Sequence, residues 1–87
     1  MKIEIDVPDY SPEGGLRMRW EEGSIISATE DGGAILIRAN HEGLVSLARL
    51  LLTLVNEGVP SGAHWHLDAH NAFEDGSIEI VIEKVNS

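Results

Sequence analysis

Alternating polar and apolar residues predict strands in the first quarter of the chain. Residues 2–7 place an isoleucine or valine at every second position and a charged residue between them, which is typical of a half-buried strand. Residues 16–20 repeat the alternation, with Leu16, Met18 and Trp20 on the inner side. Prolines and a glycine pair separate the two segments and indicate turns. We therefore expect two strands before residue 21.

A hairpin is expected next. A strand runs from residue 24 to about residue 29, and the Asp31-Gly32-Gly33 triplet follows it. Glycine supplies the positive φ angles that tight hairpin turns require. Residues 34–37 are apolar at every position, and a run without alternation is typical of a strand covered on both faces. This segment is therefore expected to be a central strand of the sheet.

A long helix is predicted after this strand. Asn40 is a suitable N-cap, because its side-chain oxygen can accept a hydrogen bond from a free backbone N–H, and Gly58 is suited to end the helix. Apolar residues recur at helical spacing and predict the buried face: Leu44, Leu47, Ala48, Leu51, Leu54 and Val55. A narrow polar stripe is expected on the opposite, outer side: Ser46, Arg49, Thr53 and Asn56.

Two further apolar residues widen the apolar face of this helix. Val45 and Leu52 lie beyond the face that packing on one sheet requires. Two interpretations are open: the helix is deeply seated, or its flank is exposed and binds a second copy or another partner.

Two strands are expected in the last third, over residues 63–68 and 77–85, with Ile78, Ile80 and Ile82 inward and Glu79 and Glu83 outward. The predicted fold class is therefore α+β: a mainly antiparallel sheet of about five to six strands with one long helix packed on one face, as a two-layer sandwich. One helix covers only one face of a sheet, so the other face is expected to meet solvent or a partner.

Composition narrows the setting and the class of partner. The 87 residues suit a single domain, 1–87, and contain no cysteine, which favours the reducing cytoplasm over secretion. The amino terminus lacks the apolar region of a signal peptide. Fifteen acidic and six basic residues give a net charge of −9. This charge disfavours nucleic acid and anionic membranes and favours a cationic partner.

One cluster could carry chemistry. His64, His66 and Asp68 recur at every second position of a predicted strand, so all three are expected on one face. This spacing would suit a metal ion, and a small metal-binding protein or metal-dependent enzyme is the alternative function. The competing interpretation is that the two histidines pair across the sheet with Glu79 or Glu83. No phosphate-binding loop or nucleophile motif accompanies the cluster, so a binding protein is preferred to an enzyme, with no cofactor.

The carboxy-terminal two thirds of the chain resemble a known family. The resemblance covers about residues 33–85 and rests on segments 34–40, 62–68, 73–77 and 79–84, together with Glu42-Gly43-Leu44 and Leu47-Ala48. The combination of Glu-Gly-Leu opening a helix and His-x-His-Leu-Asp opening a hairpin is similar to the immunity protein 32 family of bacterial polymorphic toxin systems.

The resemblance implies a cytoplasmic antidote that binds and blocks a cognate protein toxin and has no catalytic residues. Because nuclease toxins must bind an anionic substrate, an acidic antidote suits a cationic nuclease. We expect the partner-binding residues on the outer side of the last hairpin: His64, His66, Asp68, Glu79 and Glu83. A homodimer formed through the helix flank or an edge strand remains open and is compatible with this function.

Overall fold

The computed structural model describes residues 1–86 and contains one helix and four strands. The strands are β1 (Ile26–Asp31), β2 (Ala34–Ala39), β3 (His64–Leu67) and β4 (Ile80–Glu83), and the helix is α1 (His41–Val55). They form two separate antiparallel sheets, β1 with β2 and β3 with β4. The α+β class is therefore correct, but the prediction of one sheet with five to six strands is wrong.

Neither of the two strands predicted before residue 21 forms. In the first segment, side chains at the helix bind the backbone in place of a neighbouring strand. Arg49 Nε donates to the carbonyl of Asp6 at 3.0 Å, and Asn56 Nδ2 donates to the carbonyl of Pro8 at 3.2 Å. Residues 16–20 keep the predicted alternation, with Leu16, Met18 and Trp20 partly buried against the core, but form no ladder. In residues 16–20 the alternation thus indicates burial and not strand pairing, whereas in residues 2–7 Ile3 is 52% exposed.

Strand β2 is an edge strand and not the predicted central one. Ile35, Leu36 and Ile37 are 52%, 40% and 47% exposed, so apolar side chains on both faces of this strand meet solvent. Strand β1 is its only ladder partner within residues 1–86. The opposite edge of β1 is covered by the loop before β4, where Glu74 N donates to Ile26 O and Ile78 N donates to Ala28 O, each at 2.8 Å. The hairpin is therefore covered along β1 and open along β2.

Helix α1 begins after Asn40 as predicted, since the Asn40 side chain accepts a hydrogen bond from Gly43 N at 2.8 Å. Its last residue is Val55 and Asn56 is its C-cap, so it ends before Gly58. The orientation of the helix differs from the prediction. The buried side carries Gly43, Ser46, Arg49, Leu50, Thr53 and Leu54. The exposed side carries Leu44, Leu51, Leu52 and Val55.

The predicted outer polar stripe is therefore buried, and much of the predicted core face is exposed. The reason is that the polar side chains have partners in the amino-terminal segment. Ser46 Oγ accepts from Glu21 N at 2.8 Å, and Arg49 Nη2 donates to Glu21 Oε1 at 2.6 Å. These partners satisfy Ser46 Oγ and Arg49 Nη2, which would be costly to bury alone. Arg49 Nη1 is buried without a hydrogen-bond partner within residues 1–86. Of the two interpretations of the helix flank, the deeply seated helix is wrong, because Leu52 is 41% exposed.

The core lies between the helix and the two hairpins. It consists of Ile26, Ala28, Leu50, Leu54, Val59, Trp65, Leu67 and Phe73. Trp65 is buried in it, and its indole Nε1–H donates to Leu50 O at 2.8 Å, which fixes β3 against the helix. Phe73 is 5% exposed and anchors the loop between β3 and β4. Over residues 1–86, no helix has the length and apolar character needed to cross a membrane.

Candidate functional site

The candidate site lies on the β3–β4 hairpin, whose ladder fixes the direction of every side chain. His64 pairs with Glu83 and His66 pairs with Val81, whereas the buried Trp65 and Leu67 pair with Ile82 and Ile80. Directly opposed residues of an antiparallel pair share a face, and neighbours along a strand alternate. The hairpin therefore has an inner face in the core and an outer face in solvent. We call the exposed set the hairpin outer face: His64, His66, Glu79, Val81 and Glu83.

The two histidines lie close together on this face and have separate partners. Their ring centroids are 4.8 Å apart with an interplanar angle of 71°, which is an edge-to-face arrangement. His66 Nδ1 is 3.5 Å from Glu79 Oε2, and both side chains are 55% exposed. His64 Nδ1 is 2.9 Å from Gly62 O. The competing interpretation of the histidines is therefore confirmed for His66, which pairs with Glu79.

Asp68 shapes the loop at the end of β3. Its Oδ1 accepts from His70 N, and its backbone N–H donates to Asn71 Oδ1, each at 2.9 Å. Asn71 Nδ2 in turn donates to His66 O at 2.7 Å. Such short-range bonds from Asp and Asn stabilise turns. Asp68 thus borders the hairpin outer face, and four of the five predicted partner-binding residues share that face.

The three residues of the metal-binding alternative have separate hydrogen-bond partners or lie in separate contacts. Across residues 1–86, no group of three or more His, Asp or Glu side chains is placed to hold a metal ion. The Asp68 carboxylate bonds to the backbone of its own loop, and His64 bonds to the carbonyl of Gly62. The structure therefore does not bring His64, His66 and Asp68 together as the metal-binding alternative requires.

The acids of the hairpin outer face have no lysine or arginine partner within the described residues. The ion pairs over residues 1–86 are Arg49 with Glu21 and His66 with Glu79. Lys84 is adjacent to Glu83 in sequence, but its Nζ donates to Asn56 O at 2.9 Å. The face therefore presents uncompensated negative charge at Glu83, whereas the Glu79 carboxylate lies beside His66.

One member of the face is missing from the residues predicted as the site. Val81 is 49% exposed and lies directly opposite His66. An aliphatic side chain between two carboxylates gives the surface an apolar centre with a charged margin, which is a common anatomy for protein interfaces. The sequence pattern could have identified Val81, because side chains alternate along β4 and residue 81 lies on the same side as Glu79 and Glu83.

The site is an open, charged surface rather than an enclosed cleft. Pockets of about 400 Å³ and 290 Å³ lie elsewhere, one beside Ile25 and Arg38 and the other between Met1, Ile3 and the outer side of the helix.

A comparison with known families identifies the family of the chain. Residues 34–85 match the model of the family described as Immunity protein 32. The matched region runs from β2 to beyond β4 and spans more than half of the sequence. The chain therefore belongs to the Immunity protein 32 family, which confirms the resemblance seen in the sequence. Neither a curated protein nor a solved structure matches the chain.

Proposed function

We propose that this chain is an antidote that binds a cognate bacterial toxin and blocks it, acting in the cytoplasm by binding and not by catalysis. The contact surface is the hairpin outer face, bordered by Asp68. The toxin surface that it covers is cationic, as the substrate-binding surface of a nuclease is. The observation that carries the proposal is the pair of exposed carboxylates of Glu79 and Glu83, which have no lysine or arginine partner within residues 1–86.

The shape of the hairpin supports a protein partner. Its inner residues Trp65 and Leu67 are buried in the core, so the outer side chains are held on a fixed backbone. A rigid surface loses little conformational entropy on binding. Val81 supplies an apolar centre, and the histidines and glutamates around it supply directional polar contacts.

The charge of the chain supports a cationic partner. A net charge of −9 attracts a basic surface over a distance of about a Debye length, roughly 8 Å at physiological salt. Steering of this kind raises the association rate, and close charge pairs then lower the dissociation rate. A nuclease needs a basic surface to bind its phosphate-rich substrate, so an acidic antidote can occupy that surface and exclude the substrate.

The test is charge reversal on the hairpin outer face. We expect Glu79→Lys and Glu83→Lys each to weaken binding to the toxin encoded beside this gene by roughly ten- to one-hundredfold, since each reversal places a cation against a cationic surface. Both side chains are exposed, so the melting temperature should change little. Calorimetry or surface plasmon resonance measures the affinity, and protection of cells expressing the toxin provides the functional measurement.

The matched control is Glu13→Lys, which makes the same change of charge at an exposed residue in the turn between Ser11 and Gly15. We expect it to lower the association rate slightly and to leave the dissociation rate unchanged. Equal losses from Glu13→Lys and from the hairpin variants would show that total charge, and not this face, determines binding. Full protection by the Glu79→Lys, Glu83→Lys double variant would refute the proposed surface.

A further inference from the structure

The free edge of β2 presents backbone groups in a fixed pattern. At the end of the β1–β2 ladder, Asn40 N donates to Ile25 O at 3.1 Å. The backbone groups of these two residues therefore point towards each other, between the two strands. Antiparallel pairs alternate between hydrogen-bonded and non-hydrogen-bonded. Residues 34, 36 and 38 therefore direct their N–H and C=O groups towards β1, and Ile35 and Ile37 direct theirs away from it. Within residues 1–86, no backbone hydrogen bond joins these outward groups to another segment.

The apolar side chains of this edge are also exposed to solvent. Ile35 and Ile37 lie on the face that carries the buried Ile26 and Ala28, yet both are about half exposed. Leu36 is 40% exposed on the other face. An exposed edge strand with apolar residues on both faces readily accepts another strand, and proteins that keep such an edge usually cover it.

We propose that β2 pairs antiparallel with β2 of a second copy of this chain, in a register centred on Leu36. In this register Ile35 lies opposite Ile37 of the second copy, and each of the two equivalent pairs exchanges both N–H···O=C bonds. Leu36 lies opposite Leu36 on the other face. Apolar residues then meet apolar residues on both faces, and the two hairpins form one four-stranded sheet.

Charge identifies a second copy as the occupant. Residues 34–40 contain no acid in a chain of net charge −9, so this edge is a surface that an equally acidic copy can approach. The acids at the tip of the hairpin lie on β1, and in the four-stranded sheet the two β1 strands are three strand spacings apart, about 14 Å. This separation exceeds the Debye length at physiological salt, so their repulsion is largely screened.

The same register supplies an attractive pair. Arg38 lies opposite Ala34 of the second copy, and in that copy Ala34 pairs with Asp31. All three side chains lie on one face, and the small alanine lets the long arginine side chain extend across it towards the carboxylate. Within residues 1–86, Arg38 and Asp31 are exposed and form no ion pair. The two-fold axis produces this Arg38–Asp31 contact twice.

The test uses the untagged full chain without toxin, so that its result is independent of the proposed toxin contact. Sedimentation velocity over a broad concentration range should show a dimer. The chain has no cysteine, so single-cysteine variants report one contact each. A non-hydrogen-bonded pair places its Cα atoms about 4.5 Å apart, within the range of a disulfide. Leu36→Cys should therefore cross-link at least about tenfold faster than Val85→Cys, an exposed control, because the pairing raises the local thiol concentration.

Four further variants test the register. Ile35→Cys and Ile37→Cys should cross-link slowly alone and rapidly when mixed, because each residue faces the other and not itself. Arg38→Glu should weaken the dimer, and Arg38→Glu combined with Asp31→Arg should restore it while circular dichroism shows an unchanged fold. A monomer at every concentration, or cross-linking of Leu36→Cys no faster than that of Val85→Cys, would overturn the proposal.

Discussion

Arg49 of helix α1 donates through Nη2 to Oε1 of Glu21 at 2.6 Å, and this contact joins the helix to the segment before β1. The Arg49 side chain is 5% exposed and the Glu21 side chain is 41% exposed. The hydrogen bond and the positive charge of Arg49 lower the pKa of Glu21 below its usual value. A carboxylate outside the matched family region thus neutralises a buried guanidinium inside it.

This contact predicts a dependence of stability on pH. Because the folded pKa of Glu21 is lowered, the unfolded chain binds its proton first, and the contact stabilises the fold above the unfolded pKa of about 4.3. The stabilisation is lost as the pH falls from there through the lower folded pKa. We expect Glu21→Gln to lower the melting temperature at neutral pH and to differ less from the wild type as the pH falls.

The control for this prediction is Glu22→Gln, which removes the same charge from an exposed neighbour that forms no ion pair among the described residues. Its melting temperature should stay close to that of the wild type at neutral pH. Thermal unfolding followed by circular dichroism across the acid range measures both variants. A difference between Glu21→Gln and Glu22→Gln that stays constant down to acid pH would show that Glu21 acts through packing and not through its charge.

Removing the hydroxyl group should change the free energy of unfolding by different amounts at two buried helix residues, Ser46 and Thr53. Ser46 Oγ accepts from Glu21 N at 2.8 Å and lies 2.9 Å from Ser24 Oγ, so Ser46→Ala leaves a partly buried N–H without its acceptor. Thr53 Oγ1 donates to Arg49 O at 2.7 Å within the same helix. We expect Ser46→Ala to lower the free energy of unfolding by about 1–3 kcal/mol.

Thr53→Val is the matched comparison, because valine has the shape of threonine and Arg49 O can keep its helical backbone partner. We expect it to change the free energy of unfolding by less than about 1 kcal/mol. Urea unfolding with equal m-values compares the two variants. Similar losses from Ser46→Ala and Thr53→Val would mean that the contact with residue 21 contributes little to stability.

The features that could be predicted from the sequence depend on neighbours that are close in the chain. Asn40 caps the helix because Gly43 N, its hydrogen-bond donor, is three residues away. The faces of the last hairpin follow from a period of two, and the structure confirms Glu79 and Glu83 as outward residues. The same period predicts four of the five residues of the hairpin outer face.

The features that could not be predicted depend on distant partners. The apolar period of the helix favours Leu51 as a core residue. Ser46 and Arg49 instead bind residues 6 and 21, and these contacts bury the polar side of the helix. In β2, the apolar run of residues 34–37 predicts burial on both faces. The same composition occurs in an edge strand that pairs with another chain, and the sequence does not distinguish the two cases.

The rotation of the helix predicts opposite behaviour for two adjacent leucines. Leu50 is fully buried and Leu51 is 48% exposed. We expect Leu50→Ala to lower the free energy of unfolding by about 2–5 kcal/mol, because it leaves a cavity in the core. Leu51→Ala should change it by about 0.5 kcal/mol or less. Urea unfolding measures both, and a larger loss from Leu51→Ala would restore the orientation that the apolar period favours.

The glycine of the Glu42-Gly43-Leu44 motif predicts an unusual substitution effect. A Cβ atom at Gly43 would lie 2.8 Å from Ile25 O and 2.8 Å from Ile26 Cγ1, closer than atoms normally pack. Alanine is favoured over glycine in helices by about 1 kcal/mol. Because the helix lies so close to β1 here, we expect Gly43→Ala to be destabilising by at least about 1 kcal/mol despite that preference.

The neighbouring residue separates the two opposing effects. Leu44 is 59% exposed in the same helical turn, so the difference between Leu44→Ala and Leu44→Gly measures helix propensity without a steric contact. Alanine should be the more stable of that pair, whereas at residue 43 glycine should be the more stable. If alanine proved more stable than glycine at both positions, the close approach of the helix to Ile25 would be wrong. The reversed order would explain why a residue with low helix propensity opens the helix at this point in the motif.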